Sequence, residues 1–206
     1  MIAVLDTGLS NVGSVVNMLH RLGHPSVLAS EPEAADGADA IILPGVGHFR
    51  TGMERLRETG LDQAILRAAD RGKPVLGICL GLQLLARRSE EGDCEGLGLL
   101  PADVIRFDER RMEGPLPVPH MGWREVRAVG HAPIMNGWDA DSRFYFVHTY
   151  HLSTDDPSIG LMEADYGYPF LAAARRGSVC GVQFHPEKSH QFGKRLLQAF
   201  AEQAHA

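Results

Sequence analysis

Short apolar runs alternate with helix-like patterns through the first half of the chain. The runs are unbroken rather than alternating with polar residues, and they lie at residues 2–5, 26–29, 40–43 and 73–76. Strands that are apolar on both faces are typical of parallel sheets covered by helices on each side. The pattern therefore predicts an α/β fold with a mainly parallel central sheet.

Two segments between these runs have helical spacing. In the first segment, which ends at Gly23, apolar residues recur every three or four positions. These residues are Val12, Val15, Val16, Leu19 and Leu22. The second segment spans about Leu61 to Ala69 and ends near Gly72. Glycine commonly follows the last turn of a helix, because it adopts left-handed backbone angles without strain. A further helix is expected from Gln83 to Arg87, after the run that leads to Cys79.

From about residue 92 the pattern changes to short pieces rich in glycine and proline. Strand candidates lie at 103–107, 123–127 and 143–147, and two more, 170–175 and 178–184, flank the turn-like Arg176-Gly177 and predict a hairpin. We expect these strands to be antiparallel. A last helix is expected from about His190 to Ala204. No linker is evident, so residues 1–206 are predicted to form a single domain.

Composition excludes several classes of protein. The chain has 206 residues, 44% of them hydrophobic and 22% charged, with a formal net charge of −6 and a pI near 5.9. This acidic balance argues against a nucleic-acid or anionic-membrane partner. No membrane span or signal peptide is evident, so we expect a cytoplasmic protein. Cysteines at 79, 94 and 180 have no Cys-x-x-Cys spacing, so neither a disulfide framework nor a metal site is expected.

The stretch Gly77-Ile78-Cys79-Leu80-Gly81 lies where a predicted strand meets a predicted helix. Small residues on either side of the cysteine are what a tight strand-to-helix turn requires, since side chains at 77 or 81 would crowd the backbone. Such a turn presents the thiol at a helix N-terminus, which favours the thiolate, and directs the Leu80 N–H toward a developing oxyanion. Cys79 is therefore a candidate nucleophile.

The triplet His185-Pro186-Glu187 supplies the other parts of a nucleophilic site. In an extended segment, side chains two residues apart share a face, so the carboxylate of Glu187 is expected to orient the imidazole of His185. A thiol, a base and a group that orients the base are the parts needed for acyl transfer.

With Gln83, these motifs resemble the class I, or triad, glutamine amidotransferases, in which a cysteine at such a turn precedes a C-terminal His-Pro-Glu. Four further motifs make the chain similar to the glutaminase subunits of imidazole glycerol phosphate synthase, and they lie at 44–49, 119–123, 145–150 and 188–189. The resemblance runs from the first strand to the last helix. It implies a flavodoxin-like three-layer fold with antiparallel strands in the C-terminal half.

The resemblance also implies an activity. L-Glutamine would be hydrolysed to glutamate and ammonia through a thioester on Cys79, with His185 as proton shuttle and Glu187 orienting it. The ammonia would pass to a cyclase subunit with a (β/α)8 barrel, in a heterodimer that makes imidazole glycerol phosphate and AICAR from PRFAR in histidine biosynthesis. No cofactor is implied.

Further residues are carried over from the same resemblance. The N–H groups of Leu80 and Val46 would form the oxyanion hole, and the Val46 peptide is expected to flip between inactive and active states, because Gly45 and Gly47 flank it. Residues expected to bind the amino-acid end of glutamine are Gly47, Gln83, Glu91, Tyr145 and Thr149. Residues expected to contact the partner are Asn11, Ser14, Met121, Trp123 and Lys188.

Two positions depart from the family pattern, since Ser10 replaces a glycine and Arg124 replaces an asparagine. Alternatives therefore remain: a triad glutaminase that serves another acceptor synthase, or a non-catalytic regulatory subunit. The spacing His148-x-x-His151 is a weaker candidate for metal binding, because no cysteine joins it.

Overall fold

A computed structural model describes residues 1–10, 12–136, 138 and 141–204. The helices are α1 (Val12–Arg21), α2 (Pro32–Asp36), α3 (Phe49–Thr59), α4 (Leu61–Asp70), α5 (Leu80–Leu84) and α6 (His190–Gln203). The strands are β1 (Ile2–Leu5), β2 (Ser26–Ala29), β3 (Ala40–Gly45), β4 (Val75–Cys79), β5 (Arg88–Ser89), β6 (Cys94–Glu95), β7 (Asp103–Arg106), β8 (His120–Glu125), β9 (Arg127–Ala128), β10 (Arg143–His148), β11 (Tyr150–Ser153), β12 (Gly160–Asp165), β13 (Pro169–Arg176) and β14 (Val179–Val182).

The parallel part of the main sheet has the order β2-β1-β3-β4-β14. Side chains of β1, β3 and β4 are buried throughout, and alternate residues enter two separate cores. One core includes α1 and α6 through Leu19 and Phe200, and the other includes α3 and α4 through Met53 and Ile65. The predicted α/β class, with helices on both faces, is confirmed.

Antiparallel strands extend the sheet beyond β14. Strand β13 pairs antiparallel with β14, β12 and β11, and β11 pairs antiparallel with β7. Strands β8 and β10 form a separate antiparallel pair. The predicted hairpin before His185 is present as β13–β14, so the antiparallel half is confirmed. Strands β11 and β12 were not predicted.

The helix predicted from Gln83 to Arg87 is wrong in extent, because α5 ends at Leu84. The carbonyl groups of Leu84, Leu85 and Ala86 accept hydrogen bonds from the backbone N–H groups of residues 97, 100 and 98. These acceptors are therefore taken by a returning segment instead of by another helical turn.

Among the residues described, none of the helices combines the length and apolar character needed to cross a bilayer.

Candidate active site

Cys79 occupies a strained turn between β4 and α5. It is the last residue of the strand and the N-cap of the helix, with φ 55° and ψ −110°. A positive φ is rare for a residue with a side chain and is usually found where function requires it. The strain thus falls on the cysteine itself, and not on the flanking Gly77 and Gly81.

The two glycines are required because there is no space for a side chain at either position. A Cβ added to Gly77 would lie 2.6 Å from the backbone of Gly81, and a Cβ on Gly81 would overlap the carbonyl oxygen of Leu43. The predicted crowding at 77 and 81 is confirmed. The sharp turn at Cys79 therefore depends on close backbone packing on both sides of the cysteine, which only glycine allows.

The thiol lies in a pocket of about 290 Å³. Eight predicted site residues line it: Val46, Gly47, Cys79, Leu80, Gln83, Glu91, Thr149 and His185. The enclosed volume suits a small polar molecule. A hollow of about 250 Å³ beside Arg127 and Glu163 has no nucleophile in its lining.

His185 and Glu187 form a close pair behind the pocket. The Nδ1 atom of His185 lies 2.7 Å from the Oε1 atom of Glu187. The segment is not extended, however, because residues 186–188 form a 3-10 turn for which His185 is the N-cap. The sequence argument from an extended strand is therefore wrong, although the turn brings the same two groups together.

The protonation state of His185 depends on these neighbours. Burial is the largest single influence on the pKa of His185 and lowers it, but Cys79 and Glu187 together outweigh burial and raise the pKa to about 9. The Nε2 atom is buried and makes no hydrogen bond of acceptable geometry. Thiol and imidazole thus interact without a formed hydrogen bond, which is common in enzymes before substrate binds.

Gln83 is buried below the nucleophile. Its Nε2 group donates to the carbonyl oxygen of Tyr150 and to the Oε1 atom of Gln183, both at 3.0 Å. The amide oxygen of Gln83 is not used by these two bonds. It is the atom that remains for a ligand in the pocket.

Glu91 is held by the N-terminus of a helix. Its Oε2 atom accepts a 2.7 Å hydrogen bond from the N–H of Phe49, the first residue of α3. The positive end of the helix dipole favours the ionised carboxylate there. Glu91 is thus a fixed negative charge at the pocket wall and not a loose surface charge.

The two proposed oxyanion donors are in different states. Leu80 begins α5, where N–H groups have no acceptor within the helix. The N–H of Val46 instead donates to the carbonyl oxygen of Leu9 at 3.2 Å. In this state the Val46 N–H is therefore engaged outside the pocket, and its peptide must rotate before it can bind an oxyanion.

Other predicted residues lie away from the pocket lining. Tyr145 is not part of it; its ring packs edge-on against Trp123, at 6.2 Å between centroids. Of the predicted partner residues, Met121, Trp123 and Lys188 are exposed, Ser14 is half-buried on α1, and Asn11 lies outside the described residues. The departure at Arg124 is accommodated by Tyr166, whose ring lies 5.3 Å from the guanidinium.

Several pocket residues were not predicted from the sequence. The additional lining residues are Pro119, Val147, His148 and Tyr150. Gln183, fully buried, lies 3.8 Å from the Cys79 sulfur through its Nε2 atom. Its position two residues before His185 is the sequence feature from which its place near the site could have been predicted.

The histidines considered for metal binding use their ring nitrogens within the protein. His148 contacts His120 and the Tyr150 carbonyl, and His151 contacts the Leu152 carbonyl and the Tyr168 hydroxyl. No group of three potential ligands occurs among the residues described.

Comparison with known proteins decides the family. A family model described as "Glutamine amidotransferase class-I" matches residues 3–204 of the chain. The chain belongs to the class I glutamine amidotransferase family. Within this family, it is 45% identical over 203 residues to "Imidazole glycerol phosphate synthase subunit HisH 2" of Pseudomonas aeruginosa, covering 98% of this chain and 99% of that protein.

Two further relatives carry the same subunit name. The HisH subunit of Sulfurimonas denitrificans is 43% identical, covering 98% of each chain, and HisH 2 of Methanococcus maripaludis is 40% identical, covering 99% of this chain and all of the relative. These relatives support the role of a glutaminase subunit for this class I amidotransferase.

Solved structures show the same fold. A crystal structure titled as a glutamine amidotransferase has a TM-score of 0.70 at 24% identity, covering 100% of this chain and 99% of the other. The PurLQS structure from Thermotoga maritima has a TM-score of 0.76 at 19% identity, covering 98% and 97%. At such identities the likeness concerns the fold alone, and it confirms the predicted fold family.

Proposed function

We propose that this chain hydrolyses L-glutamine to glutamate and ammonia through a thioester on Cys79. The observation that carries the proposal is the strained Cys79 at the N-terminus of α5, in a pocket that also contains His185. Family membership supplies the reaction class, and the pocket supplies one nucleophile suited to it.

The roles in the reaction follow from the positions and charges. His185, with its raised pKa, is protonated at neutral pH and stabilises a Cys79 thiolate. The thiolate attacks the side-chain amide carbon of glutamine, and His185 protonates the departing ammonia. The same imidazole then deprotonates the water that hydrolyses the thioester, while Glu187 keeps it oriented.

The amino-acid end of glutamine is assigned to the wall of the pocket that includes Glu91 and Gln83. The Glu91 carboxylate and the free amide oxygen of Gln83 are suited to the substrate ammonium, since both accept hydrogen bonds. Thr149 and the Gly47 backbone complete this wall. Tyr145 is not given a role in binding, because it lies outside the lining.

Ammonia is proposed to pass to a cyclase subunit with a (β/α)8 barrel, in a cytoplasmic heterodimer that makes imidazole glycerol phosphate for histidine biosynthesis. The names of the relatives support this partner. The exposed Met121 and Trp123, 62% and 37% accessible, are suited to an interface.

Coupling to the partner is proposed to act through the Val46 peptide. Its N–H is bonded to the carbonyl of Leu9 in the first βα loop, which in the sequence shortly precedes the proposed interface residues 11 and 14. A partner that displaces this loop would release the N–H and allow the peptide to rotate. Removing one oxyanion donor typically costs about 10²- to 10³-fold in kcat, so the isolated chain should be slow by that factor.

The test is glutamine hydrolysis by the purified chain, with and without a cyclase subunit and its ribulosyl ligand. We expect strong stimulation, and complete loss of activity for Cys79→Ala under both conditions. Intrinsic fluorescence or far-UV circular dichroism would check that the variant folds. Ammonia release that survives Cys79→Ala would exclude the nucleophile, whereas full activity of the isolated chain would exclude only the coupling.

A further inference from the structure

Gln183 lies between β14 and His185 and is completely buried. Its carboxamide has two neighbours at hydrogen-bonding distance. The Oε1 atom lies 3.0 Å from the Nε2 atom of Gln83, and the Nε2 atom lies 3.8 Å from the sulfur of Cys79. One amide thus joins the floor of the substrate pocket to the nucleophile.

A backbone carbonyl fixes the polarity of this arrangement. The carbonyl oxygen of Tyr150 can only accept, so the atom of Gln83 that faces it must be the NH2 group. That NH2 group also faces Gln183, which must therefore present its oxygen. Only the NH2 group of Gln183 is left to face Cys79. The sulfur consequently meets an N–H donor and not an acceptor.

The sulfur has a second polar neighbour of opposite character. The carbonyl oxygen of Val147 lies 3.9 Å from it and accepts from the thiol S–H. When the proton leaves, this carbonyl becomes an unfavourable neighbour of the negative sulfur, whereas the Gln183 N–H becomes a charge-assisted donor. The two contacts therefore favour different protonation states of Cys79.

We propose that the Gln183 carboxamide stabilises the Cys79 thiolate by hydrogen-bond donation, with its orientation set by Gln83 and the Tyr150 carbonyl. Its effect on turnover rests on the proposed glutaminase function, but the donation itself does not. The donor lies in the fully buried interior, where a hydrogen bond to a charged atom is stronger than in water.

The test is the rate of Cys79 alkylation by iodoacetamide as a function of pH. Gln183→Met keeps the length of the side chain and removes the donor, and Gln183→Leu is a second variant with the same chemical effect. Peptide mass spectrometry separates Cys79 from Cys94 and Cys180. Gln198→Met is the matched control, since Gln198 bonds Glu202 on α6 and is not in the pocket lining.

Other groups near the sulfur also titrate and must be common to all variants. They are His185 on the segment after β14, with Glu187 behind it, His148 at the end of β10, and Glu91, which follows β5 and contacts the N-terminus of α3. All four are unchanged in the Gln183 and Gln198 variants. A shift specific to the Gln183 variants is therefore attributable to the lost donor.

We expect the midpoint of the alkylation profile to move up by about one pH unit in both Gln183 variants, which corresponds to tenfold less thiolate below the midpoint. The Gln198 variant should match the unmodified chain. In glutaminase assays, kcat should fall about tenfold with KM within twofold, because Tyr150 still holds Gln83.

An unchanged midpoint in the folded Gln183 variants would overturn the proposal. If the unmodified chain lacked glutaminase activity but the midpoint still moved, the proposed function would fail while the donation would stand. Thermal melts identify a variant that does not fold, and the other variant then decides.

Discussion

Two buried histidines in this protein differ in charge, because one is protonated at neutral pH and the other is neutral. His185 has its pKa raised to about 9, whereas burial and the charge of Arg124 lower the pKa of His120 to about 3. Both residues are almost fully inaccessible, at 1% and 0% exposure. Burial alone therefore does not decide whether a histidine is charged.

The difference lies in the partners. His185 meets the Glu187 carboxylate and the Cys79 sulfur, both of which favour the imidazolium. The Nδ1 atom of His120 lies 3.0 Å from the Nε2 atom of His148, and its ring is stacked on Tyr166 and Phe146. Because the Nδ1–H of His148 donates to a carbonyl, its Nε2 accepts from His120, and burial then disfavours a positive charge on either ring.

This contrast teaches that anionic neighbours keep a buried histidine protonated and so suit it to proton transfer, whereas without them it only packs in the core. Burial likewise lowers the pKa of His148, although it lines the same pocket as Cys79. A neutral histidine that is fixed by two bonds shapes the pocket wall, while a charged one beside a thiol takes part in proton transfer. The contrast can be tested by exchanging or removing the partners.

The largest effect is expected for His185→Asn, which removes the base but keeps a polar group. The value of kcat/KM for glutamine should fall by about 10³-fold or more, as for the loss of a general base. The matched control His120→Asn should lower it less than tenfold. Steady-state ammonia release with the cyclase partner measures both. A similar loss in the two variants would remove the distinction between the sites.

A smaller effect is expected for Glu187→Gln, which keeps a hydrogen-bond acceptor and removes the charge. We expect the pKa of His185 to fall and kcat to decrease by about 10²-fold, because the imidazolium loses its anionic partner. Histidine NMR titration measures the first quantity and ammonia release the second. An unaltered His185 titration would mean that Cys79 alone maintains the charge.

The same variant has a stability consequence of defined sign. Since the pKa of His185 is raised on folding from about 6.5, its contribution to stability is complete below that pH and is lost as pH rises through about 9. Unfolding in urea at pH 6 and pH 9 should therefore show a smaller pH dependence in Glu187→Gln than in the unmodified chain. An equal pH dependence of the unfolding free energy in the two proteins would contradict the assignment of this contribution to His185 and its partner Glu187.

Much of the fold could be predicted from the sequence, because the parallel strands are marked by local apolar runs. The helix α3 was missed. Its buried positions Phe49, Met53 and Leu56 have helical spacing, but Gly52 interrupts the pattern and the first N–H is capped by Glu91, 42 residues away. A Cβ at Gly52 would lie 3.0 Å from a methyl carbon of Leu84, so the close packing of α3 against α5 favours glycine there.

The site was predictable to the extent that it is built from local motifs. The turn at Cys79 follows from the two flanking glycines. The contact between His185 and Glu187 was expected from the sequence, although a 3-10 turn and not an extended strand produces it. Gln183 and His148 reach the pocket only through pairing of β14 with β4 and of β10 with β8. The direction of the Val46 N–H depends on a loop that is distant in sequence, so no local pattern reveals it.

The smallest effect concerns the neutral histidine pair and appears in stability instead of catalysis. Because the pKa of His120 is lowered on folding, its contribution is present above the unfolded value of about 6.5 and is lost as pH falls toward 3. Between pH 7 and pH 5 one such group should cost about 2 kcal/mol of unfolding free energy.

His120→Gln should remove that part of the acid sensitivity, whereas His20→Gln, on the exposed side of α1, should not. Urea unfolding of the three proteins at both pH values measures the difference. Equal acid sensitivity in all three would mean that the pair accepts a proton without unfolding, and that burial among aromatic rings does not by itself keep a histidine neutral.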